Sequence, residues 1–399
     1  MKKANILTIA VTMVLVILVH GTVLIKNMFS GGKDNIKVGF LYVGDSCDAY
    51  TSNFIRGQKA IEVEFGDKVD IIAKYNVAEG SEEVYLRELV DAGCDLIFCT
   101  SYGYGENTKK IAAENPDIEF CTATCSDANE TPVLNNYHNF MGEIYQGRYI
   151  SGVAAGMKLA ELIENGEITV EQARIGYIGA FPYAEVISGY TAFFLGVQSV
   201  VPEVTMKVIY TNSWGDYSLE KHTAERLIEE GCVVIAQHSD TTGPAVACEE
   251  QSSRYKVFHI GYNQSMTDVA PTTSLISSRI NWQNYIVSAT DAVLRGKSIE
   301  SVVKGNVHGN DVSGGIRENW VQMLKLNDTI AAKGTQKKIN ELIDKFKKGK
   351  VDVFKGDFIG VNPEDENDIY DLSDGYTENR NSSAPTFHYV LKDVITIEE

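Results

Sequence analysis

The chain has 399 residues, 44% of them hydrophobic and 23% charged, which fits an ordinary globular protein of about two domains. Its formal net charge of −18 argues against a nucleic-acid partner, because phosphate recognition needs clustered Lys and Arg. Seven cysteines are an odd number, so at least one stays unpaired within the chain, and most read as small buried hydrophobes. Cys121 and Cys125 lack a second Cys or His pair, so no metal site is expected.

In chain order, residues 6–25 (ILTIAVTMVLVILVHGTVLI) come first, uncharged and long enough to span a bilayer, with Lys2 and Lys3 ahead of them. Two readings stand: an uncleaved N-terminal transmembrane anchor, or a secretory signal, which would have a shorter apolar core and an A-x-A-like cleavage site. No such site is evident, and either way the body from about Asn35 is exported. Residues 26–35 read as a linker, so 1–35 form the anchor and linker.

A regular beat follows. A short β-branched run ends in a polar or aromatic turn, and a helical pattern succeeds it. Strands are predicted over 36–43, 70–74, 96–100 and 119–124, with helices over 52–65, 81–92 and 107–114. A long helical run over 143–163 passes through Gly152 and Gly156, and Asn165-Gly166 breaks it. The beat restarts with strands over 174–178, 206–211, 233–237 and 257–261 and helices over 184–200, 218–230 and 244–252. A strand pattern over 274–281 and a helix over 283–294 come next. Residues 334–350 form a basic amphipathic helix whose charge reads as a solvated face. Beyond about 364 the chain is acidic and irregular until a late strand over 386–390.

Strands alternating with helices argue for an α/β protein with parallel sheets, and ligands in such sheets bind beyond the carboxyl ends of the strands. The expected organisation is a first lobe over 36–150 with segments from about 275–330 crossing back, a second lobe over 151–274, and 331–399 completing the lobes. The strand-end turns carry Asp45, Asp48, Tyr50, Tyr102, Phe181, Asn212, Trp214, Asp240, Asn263, Asn281 and Trp282. No P-loop, G-x-G-x-x-G, H-E-x-x-H or G-x-S-x-G is present, so catalytic residues and cofactors are not expected.

The stretches KVGFLYVGD, DLIFCTSYGYGE, EIYQGRYISGVAAGMK, IGYIGAFPYAEVISGYTAFFLGVQSVVPE, YTNSWGD, VVIAQHSD, FHIGYNQSM and INWQNYI run in order between residues 37 and 286. In these blocks the chain resembles the basic membrane protein (BMP) or PnrA-like family of substrate-binding proteins of ABC importers, over roughly residues 36–360. The resemblance implies two Rossmann-like lobes of the type I periplasmic-binding-protein fold, joined by crossing strands, with a ligand clamped in the cleft. It implies a purine nucleoside or free purine as ligand, an ABC permease as partner and no enzymatic activity. The family carries a lipobox Cys after its signal, and this chain has none. Attachment to the membrane therefore falls to residues 6–25. Asn263 stands where many relatives place an Asp.

A purine needs aromatic faces and in-plane polar groups. Tyr50, Tyr102, Phe181, Trp214 and Trp282 are the candidate faces, and Asp45, Asp48, Asn212, Asp240, Asn263 and Asn281 the candidate edge groups. Bland roles compete at each. Phe181 also suits a packed turn, Trp214 a hydrophobic edge cover, Trp282 a hinge strand, Asp240 a helix cap and Asp45 a turn former. Either Asp45 or Asp48 fits the acid after the first strand. His238 reads as a structural hydrogen-bonder, and at most one of Tyr102 and Tyr104 faces the cleft. The same body also suits a ligand-sensing receptor, and less well a nucleoside-processing enzyme.

Overall fold

The computed structural model describes residues 32–398. The apolar segment over 6–25 lies outside the described residues. Among the described residues no helix is long and apolar enough to cross a membrane.

Two seven-stranded sheets build two lobes. The first half of the chain gives β1 (Ile36–Leu41), α1 (Ala49–Phe65), β2 (Val69–Lys74), α2 (Glu82–Asp91), β3 (Leu96–Cys99), α3 (Gly105–Glu114), β4 (Glu119–Ala123) and β5 (Tyr137–Gly142). These strands are parallel, in the order β5-β4-β3-β1-β2. After α4 (Tyr145–Glu164) the second sheet starts: β6 (Arg174–Gly179), α5 (Ala184–Gln198), β7 (Thr205–Tyr210), α6 (Tyr217–Glu229), β8 (Val234–His238), α7 (Gly243–Gln251), β9 (Phe258–Tyr262) and β10 (Ser274–Ile280). These too are parallel, ordered β10-β9-β8-β6-β7.

The chain then returns to the first lobe. The helix α8 (Gln283–Leu294) packs on α1, where a Cβ added at Gly57 would strike Ile286. The strands β11 (Asn306–His308) and β12 (Asp311–Gly314) extend the first sheet beside β5, and β13 (Val321–Met323) pairs antiparallel with β10 in the second. Three crossings therefore join the lobes, at 142–145, 280–283 and 314–321. They touch one another: Glu143 N donates to the Gly314 carbonyl at 2.8 Å and Asn281 N to the Trp320 carbonyl at 2.6 Å. The long α4 leaves this junction and runs against α5, with Gly152 and Gly196 facing each other so closely that a Cβ on either would meet backbone.

The C-terminal part is more regular than its acidic sequence suggests. The amphipathic helix forms as α9 (Thr335–Lys347), burying Ile339, Leu342 and Phe346. A small sheet of β14 (Ile359–Asn362), β15 (Asp365–Asp371) and β16 (Val390–Leu391) follows. The irregular tail expected after 364 is thus in part a hairpin. The late strand sits at β16 and at β17 (Ile395–Glu398), which adds to the second sheet beside β7. Between β15 and β16 the Ser383 amide and the Ser382 hydroxyl reach Asp311 of the first lobe, at 2.8 and 3.1 Å.

The sequence reading omitted β5. Its YHNFMG run carries polar residues that find buried partners: His138 lies between Glu119 and Glu300, and Asn139 accepts the Ala128 amide at 2.6 Å.

Candidate functional site

The carboxyl ends of both sheets face a cleft of about 700 Å³. The first lobe supplies the loop after β1 (Asp45, Cys47, Asp48, Tyr50), the loop after β2 (Asn76, Glu79), and Tyr102 and Thr124 after β3 and β4. The second supplies Glu185, Trp214, Tyr217, the Asp240–Thr242 loop and Tyr262. The lobes meet across it. Asn53 Nδ2 donates to the Asn263 carbonyl at 3.0 Å, and the Tyr102 and Tyr183 rings lie 6.4 Å apart.

Each wall has a local cause. Asp48 is the N-cap of α1 and accepts from the Tyr50 and Thr51 amides at 3.1 and 3.0 Å. Asp45 closes an Asx turn onto the Cys47 amide at 2.8 Å and accepts from Asn76 at 3.1 Å. Those bonds, the backbone one first, hold its carboxyl below the usual range. Both acids line the cleft. Tyr50 is fixed by its hydroxyl, which donates to the Thr100 carbonyl at 2.7 Å. Tyr102 is 66% exposed at the mouth, whereas Tyr104 is buried and bonded to the Val77 carbonyl.

Asp240 is not a helix cap; Thr242 occupies the N-cap of α7. Its carboxyl instead accepts from Asn263 Nδ2 at 2.9 Å. Burial, and then the charge of Asp48 opposite, push that carboxyl well above the ordinary carboxylate range, against the Asn263 bond. Asn263 sits at φ +61°, a left-handed conformation that Asn tolerates better than most residues. It lies behind Asp240 and off the cleft wall.

Four other candidate residues stand back from the cleft. Trp282 is fully buried, stacked on Phe54 at 4.4 Å and edge-on to Tyr50 at 6.3 Å, so it backs the Tyr50 wall. Phe181 stacks on Tyr183 at 5.1 Å and tilts against Trp214 at 5.6 Å, propping that ring. Asn281 ties the crossing by donating to the Asn319 carbonyl at 3.0 Å. Asn212 turns the chain after β7 at φ +51°.

Sequence reasoning passed over Glu79, Glu185 and Tyr262. Tyr262 lay inside a turn already singled out, between Gly261 and Asn263. Glu79 is held by Ser101 Oγ at 2.6 Å and the Gly103 amide at 2.8 Å, partners no local pattern announces. His238 lies behind the wall, 3.4 Å from Glu185. Burial and then the Arg148 charge lower its pKa to about 4, so it is neutral. The wall carries five carboxylates and no Lys or Arg. Such a cleft suits a neutral or cationic ligand with a flat face and hydrogen-bond donors.

The family model for ABC transporter substrate-binding proteins of the PnrA-like kind (Bmp) matches residues 35–353. The chain belongs to this family. As a PnrA-like protein it is a substrate-binding protein of the ABC-transporter class, which works on the extracytoplasmic side and serves a permease. A purine-binding protein of Brucella abortus (strain 2308) is 32% identical over 326 residues, covering 81% of this chain and 84% of the relative. A putative ABC transporter glucose-binding protein of Haloferax volcanii is 32% identical over 248 residues, covering 62% of this chain and 56% of its own length. Among solved structures, an ABC solute-binding protein from Aeropyrum pernix K1 shares the fold at a TM-score of 0.64 and 18% identity, covering 83% of this chain and 95% of that one. The two-lobed, periplasmic-binding-protein-like architecture is common to both.

Proposed function

We propose that this PnrA-like protein captures a purine base or nucleoside between its lobes and presents it to an importer. The observation that carries the reading is the Asp240–Asn263 pair set among Tyr50, Trp214 and Tyr262. Burial shifts the Asp240 carboxyl toward its neutral form, which has a donor and an acceptor side by side, the pattern with which a carboxamide reads adenine's N6/N7 edge. Stacking on rings contributes about 1–3 kcal/mol per base. The purine-binding relative from Brucella supports the same ligand class.

In this reading Asp45, Asp48, Tyr50, Tyr102, Trp214 and Asp240 meet the ligand, while Phe181, Asn263 and Trp282 hold them in place. The residues over 6–25 anchor the body to the membrane. The protein is a carrier and not an enzyme, consistent with a family of solute-binding proteins.

One alternative has its own support. Carboxylates beside aromatic faces also suit a sugar, and the Haloferax relative is named for glucose. Thermal shift over purines, nucleosides and sugars, paired with an assay for released ribose or ammonia, separates the readings. Stabilisation by purines without turnover supports capture. Stabilisation by sugars alone, or release of product, overturns it.

A further inference from the structure

Arg148 sits in the first turn of α4, just past the 142–145 crossing, and is 1% exposed. Among the described residues no carboxylate pairs with it at ion-pair distance. Desolvating an unpaired guanidinium is unfavourable, so its contacts need a reason. They are two. Nη1 donates to the Gln237 carbonyl at 2.8 Å, and the guanidinium lies 3.9 Å from the centre of the Tyr262 ring. Nε and Nη2 take no partner within the protein.

Both contacts lead to the cleft. Tyr262 lines it, with Arg148 over its ring and the His238 ring against it at 4.8 Å, edge to face. Gln237 continues outward. Its side-chain Nε2 donates to the Ser239 carbonyl at 2.9 Å and the Thr241 carbonyl at 2.8 Å, the two residues flanking Asp240. Its Oε1 meets His259 Nε2 at 2.9 Å, which fixes the amide's orientation. One buried cation thus touches the Tyr262 ring and the residue that clamps the acid's loop.

We infer that Arg148 is a positioning residue for ligand capture: a buried brace that fixes the Tyr262 ring and, through Gln237, the loop carrying Asp240. The inference rests on the proposed capture of a ligand in this cleft. The guanidinium also places positive charge beneath a site whose wall carries only acids. Its position at the start of α4 ties the brace to the junction where the chain crosses between the lobes.

The test is a double-mutant cycle on the full-length protein, with affinity read by calorimetry. The probe is whichever of adenine, guanine, adenosine and guanosine the wild type binds, or D-glucose if it binds none of these. Wild-type titrations judge the ligand reading, and the cycle judges the brace. Arg148→Met should weaken binding about 20-fold, equivalent to about 1.8 kcal/mol. Arg148→Lys, which keeps the charge, should stay within about 5-fold of wild type. In a Tyr262→Leu background Arg148→Met should cost less than about 3-fold, because the residue it acts on is gone. If Arg148→Met does not fold, Arg148→Gln, which also removes the charge, runs the same cycle against Tyr262→Leu. Unchanged affinity in a folded Arg148→Met protein, or an equal loss in both backgrounds, overturns the brace.

Discussion

Asn53 of the first lobe donates its side-chain amide to the Asn263 carbonyl of the second at 3.0 Å, and Asn263 passes its own amide to Asp240 at 2.9 Å. This cross-lobe contact is therefore one bond away from the acid proposed to read the ligand. Closure and recognition share a residue. Asn53→Ala removes the cross-lobe bond and leaves the cleft wall in place. A lost hydrogen bond of this kind costs about 1 kcal/mol, so affinity should fall about 5-fold. Surface plasmon resonance should show the loss mainly as faster dissociation.

Asp240 gives a pH-dependence with a definite sign. Its carboxyl is raised, so the folded state holds a proton that the unfolded state releases at ordinary carboxylate pH. Its contribution to stability thus turns unfavourable as pH rises above the unfolded value, until the raised folded value is passed. Asp240→Asn should relieve that penalty and raise the thermal midpoint at neutral pH. It should also keep ligand affinity within about 10-fold, because the amide retains a donor and an acceptor. Asp240→Ala should lose about 100-fold. Wild-type affinity should decline as pH rises, and that of the Asn variant should not.

His138 has a linkage of the same sign from a different cause. Burial opposes its charge, but bonds to Glu119 at 2.9 Å and Glu300 at 2.5 Å prevail and raise its pKa to about 9. The stabilisation is complete below the unfolded pKa of about 6.5 and is lost as pH rises through about 9. The loss should be on the order of 2 kcal/mol, reduced from the full shift because Glu119 is partly exposed. Chemical denaturation between pH 6 and pH 10 should show this slope, and His138→Gln should flatten it.

Trp282 and Trp214 should separate support from contact. Trp282→Ala opens a cavity beneath Tyr50 and should cost about 3–5 kcal/mol of stability. Trp214 is 36% exposed on the cleft wall, and Trp214→Ala should leave the thermal midpoint within a few degrees while weakening ligand binding about 10-fold or more. Denaturation and calorimetry on both variants check the contrast.

The alternating fold was legible because parallel strands are buried on both faces and read as continuous apolar runs, as Leu96–Cys99 does. The loop ends followed from that, and with them Asp45, Asp48, Tyr50, Tyr102, Trp214 and Asp240. What the sequence hid depends on distant partners. The strand β5 reads as polar because Glu119 and Glu300, far apart in the chain, meet its His138. Trp282 and Tyr262 look alike in sequence, yet Phe54 covers the first and the cleft opens before the second. The contacts of Arg148 with Gln237 and Tyr262, about 90 and 115 residues on in the chain, are encoded by no local pattern.

The most direct measurement is mass spectrometry of the small molecule released from the purified protein, followed by calorimetric titration of the emptied protein with that compound. A purine base or nucleoside should be released, rebind at one site per chain and fail to rebind to Asp240→Ala. Release of a sugar, with no binding of any purine by the emptied protein, would contradict purine capture.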